Sequence, residues 1–192
     1  MKYFFQVTLS VFIGSMLVYA LWSNIAFSTP DKGWVGSIIF LPHGCKVIFY
    51  CFFGARSLPA LYLADTIGPN FMWPDEYISF TSIGSLFSLL SVVVAVETLK
   101  WSKVSTFSYS IVKKINFANY QFLIYVTILS ALLNAIFTNL VFSLLNNITI
   151  DVLVIARFFI GDVLGSLCFV TFLMILFNLL RKKRLLPVVD DN

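Results

Sequence analysis

Five ionisable residues stand inside long apolar stretches of this sequence, where a charged side chain is costly. They are His43, Lys46, Asp65, Arg157 and Asp162. In the core of a lipid bilayer an ionised side chain costs at least about 2.5 to 3.5 kcal/mol on insertion scales. Residues of this kind pair with one another, reach a membrane surface or serve a function. Each of the five is therefore a candidate for ligand binding or ion pairing.

The spacing of these residues indicates which of them can share a helix face. His43 and Lys46 are three residues apart, so on a helix they project from one face. Arg157 and Asp162 are five residues apart and diverge by about 140°. At about 1.5 Å per residue, Lys46 and Asp162 lie at similar depths, about 15 Å from the same end of their predicted spans. We therefore expect a Lys46–Asp162 pair across the bundle.

Two interpretations of this group remain open. In the first, Lys46 and Asp162 line a polar pocket in the membrane half that faces away from the cytoplasm, with His43 and Arg157 as its outer layer. In the second, the Lys46–Asp162 pair is structural and Arg157 reaches the lipid headgroups.

Prolines and glycines indicate where the helices break or pack closely. Pro42 removes a backbone donor and Gly44 permits close approach, so a helix is kinked or begins beside His43. Gly161 and Gly165 form the small-xxx-small pattern that lets a neighbouring membrane helix approach. We expect the first two to shape the pocket and the later glycines to serve packing.

The elements that position these residues are predicted to be membrane-spanning helices. The 192 residues are 59% hydrophobic, 17% aromatic and 11% charged, with a mean hydropathy of +0.92. In an ordinary globular protein about a quarter of the residues are charged. Four apolar runs of spanning length cover 4–27, 79–99, 120–145 and 152–180. The predicted fold class is therefore all-α, a polytopic transmembrane helical bundle.

A further apolar run, 35–73, is too long for one span. Gly54, Arg56 and Pro59 interrupt it with a flexible residue, a charge and a helix breaker. We divide it there, which makes about six spans in total. The two predicted spans are 35–54 and 58–73. On the second, Asp65 is expected to make a polar contact with another span, while neutralising Arg56 and binding a proton are alternatives.

The basic residues predict the orientation, because Lys and Arg accumulate on the cytoplasmic side of membrane proteins. Six crossings from a cytoplasmic N-terminus place nearly all of them on that side: Lys2, Arg56, Lys100, Lys103, Lys113, Lys114 and the Arg181–Arg184 run. A five-span alternative leaves Lys2 outside and Arg56 within a helix. Both termini are therefore predicted to be cytoplasmic, with 1–184 as a single transmembrane domain and 185–192 as a short cytoplasmic tail.

Composition and motifs argue against several classes of function. The net charge of +4 comes from basic residues beside apolar stretches, which is typical of topology signals and not of a nucleic-acid surface. Cys45, Cys51 and Cys168 lack the paired spacing of a metal site. His43 is the only histidine, and HExxH, Walker and dinucleotide-binding motifs are absent. We therefore expect no enzyme, cofactor, metal site or nucleic-acid partner.

Two segments resemble a known family, the membrane-associated sensor domains of the MASE type. Phe40-Leu41-Pro42-His43-Gly44, followed by an apolar run into Gly54-Ala55-Arg56-Ser57-Leu58-Pro59-Ala60 and Leu63-Ala64-Asp65, resembles that family's second and third spans. Gly161-Asp162-Val163-Leu164-Gly165, within 156–165, is similar to the Gly-Asp-x-x-Gly signature of its last span. The resemblance implies a bacterial inner-membrane sensory module, usually fused to a histidine-kinase or diguanylate-cyclase output domain. Since few residues follow Arg184, we expect a stand-alone module.

The leading functional prediction is a non-enzymatic integral membrane sensor or ligand-binding module. Its outward-facing pocket of His43, Lys46, Arg157 and Asp162 binds a small molecule or responds to a membrane condition, and a separate membrane or cytoplasmic protein receives the signal. One alternative is a small-solute uptake subunit resembling the substrate-binding proteins of energy-coupling-factor transporters. Another is a structural subunit of a larger membrane complex. The expected surroundings are the lipids of a bacterial inner membrane.

Overall fold

The computed structural model describes residues 2–26, 37–71, 81–102, 117–146, 149 and 151–182, whose regular structure is entirely helical. The α-helices of this described chain, α1 to α6, are Lys2–Ala26, Leu41–Phe53, Leu58–Ile67, Thr81–Trp101, Phe117–Asn146 and Val152–Lys182. Short 3-10 turns follow α2 at Gly54–Ser57 and α3 at Gly68–Phe71. The predicted all-α fold class is confirmed.

The described chain contains segments that are long and apolar enough to cross a membrane. There are 5 of them: Tyr3–Asn24, Leu41–Ile67, Ser82–Trp101, Gln121–Leu145 and Val152–Leu176. Their outer surfaces carry large apolar side chains such as Leu17, Ile128 and Leu167, whereas Ser91 and Asn134 are buried. Apolar side chains outside and polar side chains inside suit a lipid environment, where buried polar groups bond to one another. The chain therefore has the construction of an integral membrane protein.

The segment Leu41–Ile67 is a helical hairpin. Lys46 Nζ lies 3.1 Å from Asp65 Oδ1, although in a straight helix 19 residues would separate them by about 28 Å. The chain reverses at the Gly54–Ser57 turn, where Gly54 has a φ of 57°. Glycine suits this conformation because it lacks a Cβ. The helix thus breaks where the sequence predicts a break.

Prolines stand at the start of both limbs of the hairpin. Pro42 and Pro59 lie in the first turns of α2 and α3, where a missing N–H costs no helical hydrogen bond. Helix α2 therefore begins at Leu41 and is not kinked at Pro42. Both limbs are shorter than the predicted spans, with 13 residues in α2 and 10 in α3.

The hairpin lies along most of α1. Near the hairpin turn, Thr8 Oγ1 donates to the Arg56 carbonyl oxygen at 3.4 Å, and the Arg56 guanidinium lies 5.3 Å from the centre of the Tyr3 ring. At the open end, Trp22 Nε1 donates to the Ile39 carbonyl oxygen at 2.8 Å. The stretch of α1 from Thr8 to Trp22 is about 21 Å long. This length is about two thirds of the bilayer's hydrocarbon thickness of about 30 Å.

Helix α6 runs parallel to α2, and glycines permit the close approach. A Cβ on Gly161 would meet the Ser37 carbonyl oxygen, and one on Gly165 would meet the Phe40 backbone. The Phe40 amide also donates to the Gly161 carbonyl oxygen at 2.9 Å. Residue 37 therefore lies beside residue 161 and residue 40 beside residue 165. The numbers rise in the same direction along both segments, which means that they run parallel. The two glycines serve packing, as the small-xxx-small pattern predicts.

Arg56, Lys100 and the C-terminal end of α6 lie at the end of the bundle where the hairpin turns. Tyr50, close to the turn, donates its hydroxyl to Glu97 Oε1 at 3.4 Å, and Lys100 Nζ donates to the same oxygen at 2.7 Å. Since α6 runs parallel to α2, its end at Lys182 lies on this side as well. Other predicted topology signals fall outside the described residues, namely Lys103, Lys113, Lys114, Lys183, Arg184, residues 31–32 and 74–76, and the tail 185–192.

Candidate functional site

Helix α2 presents a polar face to the centre of the bundle. His43 and Lys46 lie one turn apart, with 0% and 3% of their surface exposed. Each residue is the centre of a group of polar side chains. The lysine cluster consists of Lys46, Asp65, Tyr19 and Ser88. The histidine cluster consists of His43, Asp162, Asn134 and Ser130.

The lysine cluster joins four helices. Lys46 Nζ on α2 donates to both carboxylate oxygens of Asp65 on α3, at 3.1 and 3.2 Å, and to Ser88 Oγ on α4 at 2.5 Å. Tyr19 on α1 donates its hydroxyl to Asp65 Oδ1. The ammonium group thus has a neutralising carboxylate and one further hydrogen-bond acceptor, partners that a charge needs when it is removed from water. Its Nζ also lies 5.5 Å from the centre of the Phe40 ring, within cation–π range.

The histidine cluster joins α2 to α5 and α6. His43 Nε2 lies 3.0 Å from Ser130 Oγ, and His43 Nδ1 lies 3.5 Å from Asp162 Oδ2. Asn134 Nδ2 donates to that same carboxylate oxygen at 2.6 Å, and Thr138 Oγ1 donates to Asn134 Oδ1 at 3.0 Å. A line of polar groups therefore connects Thr138 to His43. Among the described residues, the Nδ1 atom of His43 makes no hydrogen bond.

The expected Lys46–Asp162 pair is wrong. Lys46 pairs with Asp65, because the hairpin turns α3 back alongside α2 and brings that carboxylate to the ammonium group. Asp162 instead faces His43, one turn before Lys46 on α2. The expected contact of Asp65 with another span is confirmed, since it bonds to Tyr19 of α1 as well as to α2.

The predicted outer layer of His43 and Arg157 is also wrong for the histidine. His43 is fully buried and lies in the same layer as Asp162. Arg157 is half-buried on α6, about 7.5 Å along the helix before Asp162. The structure therefore brings His43, Lys46 and Asp162 to one region of the core, around α2.

No protein-family model, curated protein or solved structure matches this chain. The segments 40–44 and 161–165 are in direct contact, although more than a hundred residues lie between them in sequence. Phe40 bonds to the backbone of Gly161, His43 faces Asp162, and a Cβ on Gly44 would meet the backbone of Ser166.

The polar clusters are closely packed. The gap between Lys46 and Asp65 on one side and Tyr19 and Ser15 on the other has no room for a water molecule. Within the part of the chain that the structure describes, no group of three or more His, Cys, Asp or Glu side chains could hold a metal ion. In this structure the site is therefore closed, and protein groups surround its charges.

Sequence reasoning missed several polar partners that complete the clusters. On α5, a stripe of polar residues recurs at helical spacing: Thr127, Ser130, Asn134 and Thr138. On α4, serines recur every three residues: Ser85, Ser88 and Ser91. A polar stripe of period 3 to 4 within an apolar run is the signal that indicates a buried polar helix face.

Proposed function

We propose that this chain is a non-enzymatic integral membrane module that senses a small ligand or a membrane condition and passes the change to a separate protein. The observation that supports it most is that α2 contacts every other α-helix of the described chain through the side chains of His43, Cys45 and Lys46. Cys45 Sγ lies 3.6 Å from Ser15 Oγ of α1, Lys46 contacts α3 and α4, and His43 contacts α5 and α6.

The position of α2 explains how a local change would spread. The helix has only 13 residues, with Pro42 at its start and Gly54 at its end, so it is a short unit between two breaks in the helical chain. A ligand or an altered charge at His43 or Lys46 would change how α2 contacts its neighbours. Apolar residues of equal volume often hold helices together as well as a buried ion pair does. A response to the surroundings therefore explains the buried charges better than assembly alone.

The contact between the two MASE-like segments supports a sensor of that type. The Pro42-His43-Gly44 segment opens α2, and the Gly161-Asp162 segment of α6 packs against it. Both motifs then belong to one site, because the histidine of the first faces the aspartate of the second.

The proposal includes six crossings of a bacterial inner membrane, with both termini in the cytoplasm. Arg56, Lys100 and the Lys182 end of α6 share one end of the bundle, which fits the positive-inside rule. Two crossings by the α2–α3 hairpin are supported by its contacts with α1, which extend from Thr8 to Tyr19.

Thiol reactivity of Cys45 tests the sensing function. Cys45 follows Gly44 beside the lysine cluster, and both Cys45 and Cys51 are 1% exposed. A module that senses a ligand must open its polar site to water at times. In vesicles carrying the Cys168→Ala protein, we expect a charged, membrane-impermeant methanethiosulfonate to modify Cys45 several-fold faster than Cys51, from the side opposite the termini. The variants Cys45→Ala and Cys51→Ala assign the two rates.

The second candidate function is a structural subunit of a membrane complex, and the absence of water-sized space beside Lys46 and Asp65 favours it. A structural subunit needs no opening, so Cys45 would be as unreactive as Cys51 from either side of the membrane. That result, obtained with protein that still unfolds cooperatively, would reject the sensing function.

A further inference from the structure

His43 and Asp162 face each other inside the bundle without a hydrogen bond. Their Nδ1 and Oδ2 atoms are 3.5 Å apart, and the two side chains are 0% and 2% exposed. Buried polar atoms in proteins almost always have a partner, yet among the described residues Nδ1 has none. Asn134 Nδ2 donates to Asp162 Oδ2 at 2.6 Å, which identifies this oxygen as an acceptor.

The other ring nitrogen indicates which tautomer the histidine adopts. Ser130 has a single hydroxyl proton, which it donates to the Thr127 carbonyl oxygen at 3.2 Å. With its proton on the Thr127 carbonyl, Ser130 Oγ accepts a hydrogen bond from His43 Nε2, which is 3.0 Å away, whereas the other tautomer would need the Ser130 proton to turn towards Nε2. A neutral imidazole carries a proton on only one nitrogen. His43 Nδ1 is then a bare acceptor, and it faces the acceptor oxygen of Asp162.

We propose that His43 and Asp162 form a proton-binding dyad that holds one exchangeable proton between Nδ1 and Oδ2. This inference rests on the proposed function and identifies a proton as the ligand of the histidine cluster. One proton converts two facing acceptors into a donor and an acceptor, whether it resides on the nitrogen or on the oxygen. It comes from water and returns to water, and its uptake changes the charge of the dyad from −1 to 0.

The groups around the dyad decide which state suits the closed bundle. Those facing it or its neighbours are Lys46 on α2, Asp65 on α3, Tyr19 on α1, the neutral Ser88 on α4, and the neutral Ser130 and Asn134 on α5. On α6 the charged residue nearest in sequence is Arg157, five positions before Asp162. Lys46 and Asp65 neutralise each other, and Arg157 is only half-buried. With its proton, the dyad adds no net charge to this core.

Loss of the proton leaves one negative charge in the packed interior. A buried charge without a close partner is strongly unfavourable, and hydration of the Asp162 carboxylate requires α2 and α6 to separate. The closed bundle therefore binds the proton more tightly than an open one. By linkage, deprotonation shifts the equilibrium towards the open bundle.

Because His43 is the only histidine of the chain, selective 15N-histidine labelling yields the signals of this single side chain. The measurement is magic-angle-spinning NMR of the full chain in liposomes, from about pH 5 to about pH 9. We expect Nε2 to keep its proton throughout. The Nδ1 signal is expected to move from a protonated or hydrogen-bonded position to that of a bare nitrogen as the pH rises.

Two variants connect this shift to the dyad. Asp162→Asn removes the carboxylate and should abolish the pH-dependent movement of the Nδ1 signal. Glu97→Gln removes a carboxylate near the hairpin turn, bonded to Tyr50 and Lys100, and should leave the movement intact. If Asp162→Asn does not fold, the pH titration of the Nδ1 signal in the wild-type protein still tests the dyad.

Three results would overturn the dyad: a wild-type spectrum that does not respond to pH, a proton on Nδ1 with a bare Nε2 in the closed state, or the same titration in Asp162→Asn. NMR reports the proton, whereas Cys45 labelling reports opening. An unresponsive His43 together with a reactive Cys45 would therefore remove the dyad and leave the sensing function standing.

Discussion

Lys46 and Asp65 lie 3.1 Å apart across the α2–α3 hairpin, with 3% and 6% of their side chains exposed. The pair is held on both sides, because Ser88 accepts a hydrogen bond from the ammonium and Tyr19 donates one to the carboxylate. It therefore connects the two limbs of the hairpin to α1 and α4. Removing one member leaves the other as an uncompensated charge in the bundle.

Replacing Asp65 with asparagine is expected to lower the free energy of unfolding by about 3 to 5 kcal/mol, because Lys46 then keeps a buried charge without its counterion. The double variant Lys46→Met with Asp65→Asn should recover most of that loss, since no buried charge remains. The measurement is reversible unfolding of the full chain in mixed micelles with increasing SDS.

The exposed pair of Glu97 and Lys100 supplies the control for this experiment. Its atoms are 2.7 Å apart and its side chains are 54% and 38% exposed. Lys100→Met should therefore change the free energy of unfolding by less than about 1 kcal/mol. A double variant at Lys46 and Asp65 that is no more stable than Asp65→Asn would contradict the ion-pair explanation.

Helix α6 packs closely against the residues before α2 at Gly161 and Gly165. Substituting either of these glycines is therefore expected to cost more stability than substituting Gly84. Gly161→Ala and Gly165→Ala should each destabilise the fold by about 1 to 3 kcal/mol, because a Cβ would overlap the backbone of Ser37 or Phe40. Gly84 lies within α4 and a Cβ there would meet nothing within 4 Å. Gly84→Ala should therefore be neutral or stabilising by up to about 1 kcal/mol. If all three variants had the same free energy of unfolding in the SDS titration, the close packing of Gly161 and Gly165 against residues 37–40 would be wrong.

The all-α membrane class and the break at Gly54 could be predicted because they follow from local properties. Hydropathy over a window of spanning length identifies the apolar runs, and Gly54 and Pro59 restrict the backbone wherever they occur. The glycines of α6 were similarly recognisable by their spacing. None of these predictions depends on how one helix is rotated against another.

The partner of Lys46 could not be predicted, because it depends on that rotation and on the reversal of the chain. Matching depth made Asp162 a reasonable partner, yet Asp65 reaches Lys46 by way of the turn. Asn134 and Ser130 were missed because they are uncharged, so an inventory of ionisable residues omits them. Their roles depend on the face of α5 that meets His43 and Asp162.

The hydrogen bond from Asn134 to Asp162 predicts a measurable coupling within the histidine cluster. Asn134→Ala removes a donor from the carboxylate and should destabilise the fold by about 0.6 to 1.7 kcal/mol, which are the average and the maximum for side-chain hydrogen bonds between membrane helices. Asn139 is the matched control. Its side-chain amide donates to the Ala135 carbonyl oxygen at 2.7 Å, so this hydrogen bond stays within α5 and connects no second helix. Asn139→Ala should therefore have the smaller effect in the same unfolding experiment, and the reverse order would contradict the arrangement.

The folded-back hairpin makes a prediction about which residues share a side of the membrane. In protein whose three cysteines are replaced by alanine, Arg56→Cys and Lys100→Cys should react with an impermeant thiol reagent from one side, and Asp151→Cys from the other. The reason is that the hairpin turn lies beside Thr8 and Tyr3 of α1 and at the Glu97 end of α4. Residue Asp151 precedes α6 at the opposite end.

Leu167→Cys is the control for the labelling of these three positions. Leu167 is 53% exposed in the middle of α6, where the surrounding medium is expected to be lipid, so a charged reagent should not modify it from either side. If Arg56→Cys and Asp151→Cys reacted from the same side, neither limb of the Leu41–Ile67 hairpin would cross the membrane. The Lys46–Asp65 contact would then have to form within a hairpin that enters and leaves by one surface, and the six-crossing topology would be wrong.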